Sequence, residues 1–140
     1  MQHSESITKL ADALSKAQAE MPVVRFNAVN PFLKNKYADL GAVIETARPV
    51  LAKYGLAVAQ FPISDSERIG VETVLTHSSG EWMSNSILLP QSAEKGKSDA
   101  QVVGSIISYL RRYSFGAVLA LYADEDTDGN KPVSYTHLRA

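Results

Sequence analysis

The stretch LAVAQFPISDSERIGVETVLTHSSGEWMSNSILL, residues 56–89, decides the fold class, because here the apolar spacing changes from the helical period to a period of two. LAVAQF (56–61), RIGVETVLTH (68–77) and EWMSNSILL (81–89) are short segments rich in β-branched, aromatic and apolar residues, bounded by Pro62, Ser79-Gly80 and Pro90. They predict a three-stranded antiparallel β-meander, with HSSGE (77–81) as its tightest hairpin. Upstream, Ile7, Leu10, Ala11, Leu14 and Ala17 recur at helical spacing behind the possible caps Ser4 and Ser6, so a helix ends before Pro22. Residues 21–38 hold two prolines and three asparagines with no sustained period, which reads as a loop with room for one short strand. Asp39 is placed to cap a helix through Leu40, Val43, Ile44 and Ala47, which Pro49 kinks or restarts into two short pieces before Gly55. Beyond the strands, Ser98 or Asp99 caps a long helix to about Tyr122, in spite of Gly104 and Gly116. The expected class is α+β: the meander packed against a long C-terminal helix, a β-β-β-α core, with preceding N-terminal helices.

The chain of 140 residues is 45% apolar and 21% charged, the composition of one globular domain. That domain is expected over 1–130. KPVSYTHLRA (131–140) follows an acidic Gly-Asn break without any period and is expected to be a disordered, truncated or non-native tail. With no cysteine, disulfides and thiolate metal sites are excluded. MQHSESITKL lacks a basic start followed by an apolar run, and no apolar window reaches membrane-spanning length. The expectation is a cytoplasmic protein without membrane contact. Net charge is -1, and Asp124, Glu125, Asp126 and Asp128 hold four of the fifteen acids. Without those four and the two bases Lys131 and Arg139, fourteen bases become twelve and fifteen acids become eleven. The body is therefore nearly neutral and does not announce a polyanion binder by charge alone.

The chemistry concentrates in SIISYLRRYSFGAVLAL, residues 105–121, where two arginines flanked by tyrosines interrupt an apolar helix. On a helical wheel Ile106, Leu110, Tyr113, Ala117 and Leu121 share a core stripe, while Ser108, Arg111, Arg112, Phe115 and Leu119 occupy the other side. A charged pair at such a border needs a carboxylate, a carbonyl or a phosphate. An internal ion pair with Asp39, Glu45, Glu72 or the 124–128 acids and a phosphate site are equally compatible with the spacing. Arginine's planar donors suit phosphate oxygens, and Tyr109 and Tyr113 either fill the core or stack on bases.

Other motifs are weaker. Gly96-Lys97-Ser98 stands between strand and helix, but the phosphate-loop spacing needs glycine where Gln91 stands. Lys95 and Lys97 then belong to a basic loop near a nucleic-acid path or to a solvated connector. DEDTDG (124–129) matches half of a calcium loop, yet its twelfth position is Tyr135 rather than glutamate. His3, His77 and His137 lie at no ligand spacing, and no nucleophile elbow is present.

NPFLKNKYADL (30–40) resembles the N-P-F-F-K-S-K-Y-A-D-L signature of the phage Erf (essential recombination function) family of single-strand annealing proteins. DAQVVGSIISYLRRYSF (99–115) is similar to that family's D-P-Q-x-x-G-S-A-I-T-Y-A-R-R-Y, and ADEDTDGN (123–130) to its acidic ending. The resemblance covers roughly residues 5–130. Ala100 replaces a usual proline, and Ile106 and Leu110 stand where alanine is common, which enlarges the core stripe and leaves the arginines unchanged. The resemblance implies an ATP-independent single-stranded DNA-binding protein that anneals complementary strands in recombination. It also implies a ring or helical homo-oligomer, a core like that of the Rad-type annealing proteins, no cofactor and no catalytic residue, and it allows a host single-strand-binding partner. Carried over residue by residue, it assigns Arg111, Arg112, Lys34, Lys36 and Tyr37 to the DNA groove, to which the residue chemistry adds Lys97 and Tyr109. Two other classes stay open. One is a structural oligomerisation module joined through Phe115 and Leu119; the other is a metal-dependent nuclease using the 124–128 acids with Asp39 or Glu72.

Overall fold

The computed structural model describes residues 1–92 and 96–124. In chain order the elements are β1 (Gln2–His3), α1 (Thr8–Glu20), β2 (Val24–Arg25), β3 (Ala28–Val29), β4 (Lys36–Tyr37), α2 (Leu40–Lys53), β5 (Leu56–Asp65), β6 (Arg68–His77), β7 (Trp82–Pro90), α3 (Asp99–Leu119) and β8 (Ala123–Asp124). The class is α+β with mostly antiparallel pairing. The main sheet has four strands in the order β1-β7-β6-β5, one more than expected. The added strand pairs Gln2 with Ser84 and His3 with Met83, and two residues are too few to show a period. Two-stranded pairs β2-β8 (parallel) and β3-β4 (antiparallel) complete the architecture, so the 21–38 segment holds three short strands rather than one.

Strand β5 does not stop at Pro62 but continues to Asp65, with Pro62 opposite Val71. An edge strand tolerates proline because one row of its N–H groups faces outward in any case. The tightest hairpin is consequently β5-β6, closed by Asp65 opposite Arg68 and by the ion pair between them, not the HSSGE turn. On β6, Val71, Thr73 and Leu75 are buried, and α3 lies across this strand. At Gly70 a side chain has no room: an added Cβ would sit 1.8 Å from the carbonyl oxygen of Ile87 on β7.

The helices differ from the expected pattern in three instructive ways. Pro49 leaves α2 continuous from Leu40 to Lys53. Pro49 and Glu45 one turn earlier are exposed, so the carbonyl released by the missing N–H faces water, while Val43, Ala47 and Leu51 keep the inward face. Ile7, which precedes the first residue of α1, makes no side-chain cap bond; Ser6 Oγ accepts a long 3.4 Å hydrogen bond from the Thr8 N–H, and among the described residues Ser4 makes no bond to the helix. A shorter bond comes from Glu81, in the β6-β7 turn, which accepts from the Leu10 N–H at 2.8 Å and places a carboxylate at the positive end of the helix.

Helix α3 begins in a full capping box between Ser98 and Gln101 and ends at Ala120, which is left-handed (φ 55°). That turn releases the chain three residues early, so that Ala123 can pair with Val24. The expected stripe is corrected here. Val102, Leu110, Phe115 and Leu119 are buried, whereas Tyr113 and Ala117 are exposed. Phe115 and Leu119 join Leu10, Ala13 and Ala17 of α1, Val43, Ala47 and Leu51 of α2, and Leu56 and Leu75 of the sheet in one core cluster. The buried side of α3 thus rotates along its length, because its C-terminal half is enclosed by α1 and α2 as well as the sheet.

Two stability effects follow. Glu81→Ala is expected to destabilise the fold by about 1 kcal/mol, the worth of an N-terminal cap, and to accelerate amide exchange at Leu10; unchanged protection there would refute the remote cap. Gly70→Ala is expected to cost on the order of 2 kcal/mol or more, read as a lowered urea midpoint, since two paired backbones have to separate.

Candidate nucleic-acid interface

The segment between β3 and β4 is a rigid finger. Asn30 Oδ1 accepts from the N–H groups of Phe32 (2.9 Å) and Leu33 (3.0 Å), an Asx turn of the kind asparagine favours. Lys34 N–H donates to Asn30 O, Asn30 N–H donates to Asn35 O, and Lys34 takes the left-handed conformation (φ 58°) that closes the loop. At the base, Asn27 Nδ2 donates to Asp39 Oδ1 (3.0 Å) while Asp39 N–H donates to Asn27 Oδ1 (2.9 Å). The same Asp39 oxygen accepts from Ala42 N–H at 2.9 Å and so caps α2. One carboxylate therefore fixes the finger to the helix that follows it.

Across from the finger stands the middle of α3. Asn30, Leu33, Asn35 and Tyr37 on one side, Asp39, Leu40 and Gly41 at the floor, and Ser105, Ser108, Tyr109, Arg112 and Tyr113 on the other line an open groove of about 910 Å³. That is the size of a site for a ligand rather than for one side chain. The Arg112 guanidinium lies 5.1 Å from the Tyr37 ring centroid and 4.7 Å from that of Tyr113, and donates to the Tyr113 hydroxyl at 3.1 Å. Stacking on rings holds the planar cation in place without consuming its charge. Tyr109 and Tyr113 are each 54% exposed, with ring centroids 4.5 Å apart. Neither is a core residue.

The two arginines part company. Residues one apart on a helix point about 100° apart, and Arg111 lies in a separate cleft with Ile44, Arg48, Leu56, Gln60 and Phe115. Its backbone carbonyl accepts from Gln60 Nε2 at 3.1 Å, and its Nε is buried with no hydrogen-bond partner among the described residues. Among the described residues neither arginine makes an ion pair with a carboxylate, so Asp39, Glu45 and Glu72 do not form the salt bridge that the spacing allowed, while Glu125, Asp126 and Asp128 lie outside the described residues.

The structure thus brings Tyr37, Tyr109 and Arg112 together around one groove, with Lys34 and Lys36 exposed on the adjoining finger. Lys97 precedes the α3 cap and is not among the groove's lining residues, and Arg111 serves another surface. Lys95 and residues 125–140, which include most of the acidic run, the half calcium loop and the expected tail, lie outside the described residues. Among the described residues no cluster of three histidine, aspartate or glutamate side chains could hold a metal ion, and no helix is long and apolar enough to cross a membrane. The sequence left Tyr113 open between core and base stacking, and the wheel set it in the buried stripe because it assumed one buried face, whereas Tyr113 is a wall of the groove. Sequence reasoning missed Asn27 and Asn30 as the finger's fasteners, although Asn30-Pro31 is itself a turn signal.

Ala42 N–H, then Asn27, hold the Asp39 carboxyl below the usual carboxylate range, and the Arg112 guanidinium adds a smaller pull in the same direction. A carboxyl depressed in the folded state contributes stability that is complete above its unfolded value and is lost as pH falls through the folded one. Asp39→Ala is therefore expected to cost about 1 kcal/mol near neutral pH, the difference from wild type shrinking once pH drops below about 4. Urea unfolding of both proteins across pH 7 to 2 checks this; a constant difference would contradict it.

A family model described as the ERF superfamily matches residues 10–137. No curated protein and no solved structure matches the chain. The match spans nearly the whole chain, including the finger, the Asp39 joint and all of α3, and it agrees with the resemblance carried by residues 30–40 and 99–115. A part in recombination and an interaction with DNA are consistent with that membership, and the chain belongs to the ERF superfamily.

Proposed function

We propose that this protein binds single-stranded DNA and promotes ATP-independent annealing of complementary strands. The observation that carries the reading is the groove itself: a guanidinium with no carboxylate partner among the described residues, stacked between Tyr37 and Tyr113 and facing a finger that bears Lys34 and Lys36. Backbone phosphates pair with Arg112 and the finger lysines, and bases stack on the exposed tyrosines, a sequence-tolerant mode because every base has a π-face. Annealing then needs no catalytic residue. The strand is held by its backbone with bases accessible, and pairing with the second strand supplies the free energy.

A nearly neutral protomer binds well if many copies present one continuous track, since contacts add along the strand. A ring or helical homo-oligomer is part of this proposal, as are a 1–130 annealing domain and cooperation with a host single-strand-binding protein. The competing oligomerisation module was built on Phe115 and Leu119, and these lie in the core of their own chain, so that version of it has no residues left to act through. Lys97 and Arg111 are proposed as flanking contacts, secondary to Arg112.

Annealing of two complementary fluorescent oligonucleotides without ATP tests the reading. Arg112→Ala is expected to slow annealing roughly tenfold and to lower the salt slope of single-strand binding by about 0.7 per lost phosphate contact. Arg111→Ala is expected to have the smaller effect of the two. A folded Arg112→Ala protein that anneals at the wild-type rate would overturn the assignment.

A further inference from the structure

Phe32 at the tip of the finger is 91% exposed, and Leu33 beside it is 74% exposed. Phe32 touches no core and gains nothing from burial in its own chain, yet it stands on a loop closed by side-chain and backbone hydrogen bonds. Pro31 restricts the backbone before it, the Asn30 side chain binds its N–H, and the Lys34 and Asn35 backbones close the loop beneath it. An apolar ring held out rigidly, rather than left on a pliant loop, is suited to insertion into something.

The surroundings say what that is. Leu33 already forms part of the groove wall shared with Tyr37, Tyr109 and Arg112. Lys34 and Lys36 follow it on the same exposed finger, and the groove that Leu33 lines carries the exposed Tyr109 and Tyr113. A partner that meets aromatic rings and cations on one surface carries flat π-faces and negative charge.

We propose that Phe32 is a base wedge: its ring enters the base stack of the bound single strand and separates it into short runs, while Lys34 and Arg112 hold the phosphates on either side. Apolar side chains inserted between base steps are a general means of unstacking nucleic acid. Here the wedge keeps bases apart and displayed, the state in which a complementary strand can test them. This inference rests on the single-strand reading above, and it adds a residue and a step to that reading.

The test uses the full chain and an end-labelled oligothymidylate. Trp82 is the sole native tryptophan, so Phe32→Trp adds one reporter at the finger tip. Binding is expected to quench the Phe32→Trp protein well beyond any change in wild type, because an indole stacked on a base is quenched. Phe32→Ala, which removes an exposed side chain and should fold normally by circular dichroism, is expected to bind the strand roughly tenfold more weakly with an unchanged salt slope. Wild-type binding with neither added quenching nor loss in Phe32→Ala would overturn the wedge and leave the single-strand reading intact. If Phe32→Ala instead changes the mass of the DNA-free protein in light scattering, the finger tip is a contact with a second copy and the wedge is wrong. Absence of wild-type binding at low salt would remove both readings together.

Discussion

Strand β6 is the member from which the other elements take their positions. It is paired along its length on both sides, to β5 and to β7, and Val71, Thr73 and Leu75 are buried on it. Full burial of Val71 and Leu75 stabilises the fold by roughly 2 kcal/mol each, but the geometric consequence matters more. A strand fixed on both edges gives α3 a single direction in which to lie. Because α3 must also close the core between α1 and α2 with Phe115 and Leu119, its rotation is set as well. The side chains on its remaining surface, Tyr109, Arg112 and Tyr113, are then directed outward by the packing of residues that have no contact with any ligand.

The opposite wall of the groove is positioned by polar chemistry. Asp39 uses one oxygen for both the α2 N-terminus and Asn27, and its own N–H for the return bond. A finger tied to a helix terminus inherits the rigidity of that helix, which in turn packs on the core through Val43, Ala47 and Leu51. The groove therefore joins an apolar anchor on one side to a hydrogen-bonded anchor on the other. Between them Arg112 is stabilised by tyrosine faces, which satisfy a cation and leave its charge free to act on a phosphate. Its neighbour Arg111 is bound up with β5 through Gln60, and it shows how one step along a helix separates two chemically identical side chains.

The chain's α+β class and the Asp39 and Ser98 caps could be read directly, since each depends on residues within a few positions of one another. The motif residues 30–40 and 99–115 pointed to the right family for the same reason. Where local reasoning failed, the missing fact was always a distant partner. Pro62 looked like a strand end because its place at a sheet edge could not be known, and Pro49 looked like a break because the exposure of Glu45 could not. Ser6 reaches only the first N–H of α1, and the Leu10 N–H is met by the carboxylate of Glu81, a residue far along the chain.

The candidate site divides along the same line. Its ingredients, the arginines, tyrosines, lysines and the asparagine-rich turn, are all legible in the sequence, because residue type and spacing determine what chemistry a segment can offer. Which of them share a surface is not legible. A helical wheel assigns directions relative to one presumed buried face, and α3 buries different faces along its length, so Tyr113 moved from core to groove, and Phe115 and Leu119, set opposite the expected stripe, proved to belong to the core of their own chain. Local sequence was enough for the class, the caps of α2 and α3, the family and the chemical inventory. Only the tertiary structure decided that Arg112 and not Arg111 meets Tyr37 across a groove, because that meeting joins residues about seventy-five positions apart and depends on where two separate anchors place them.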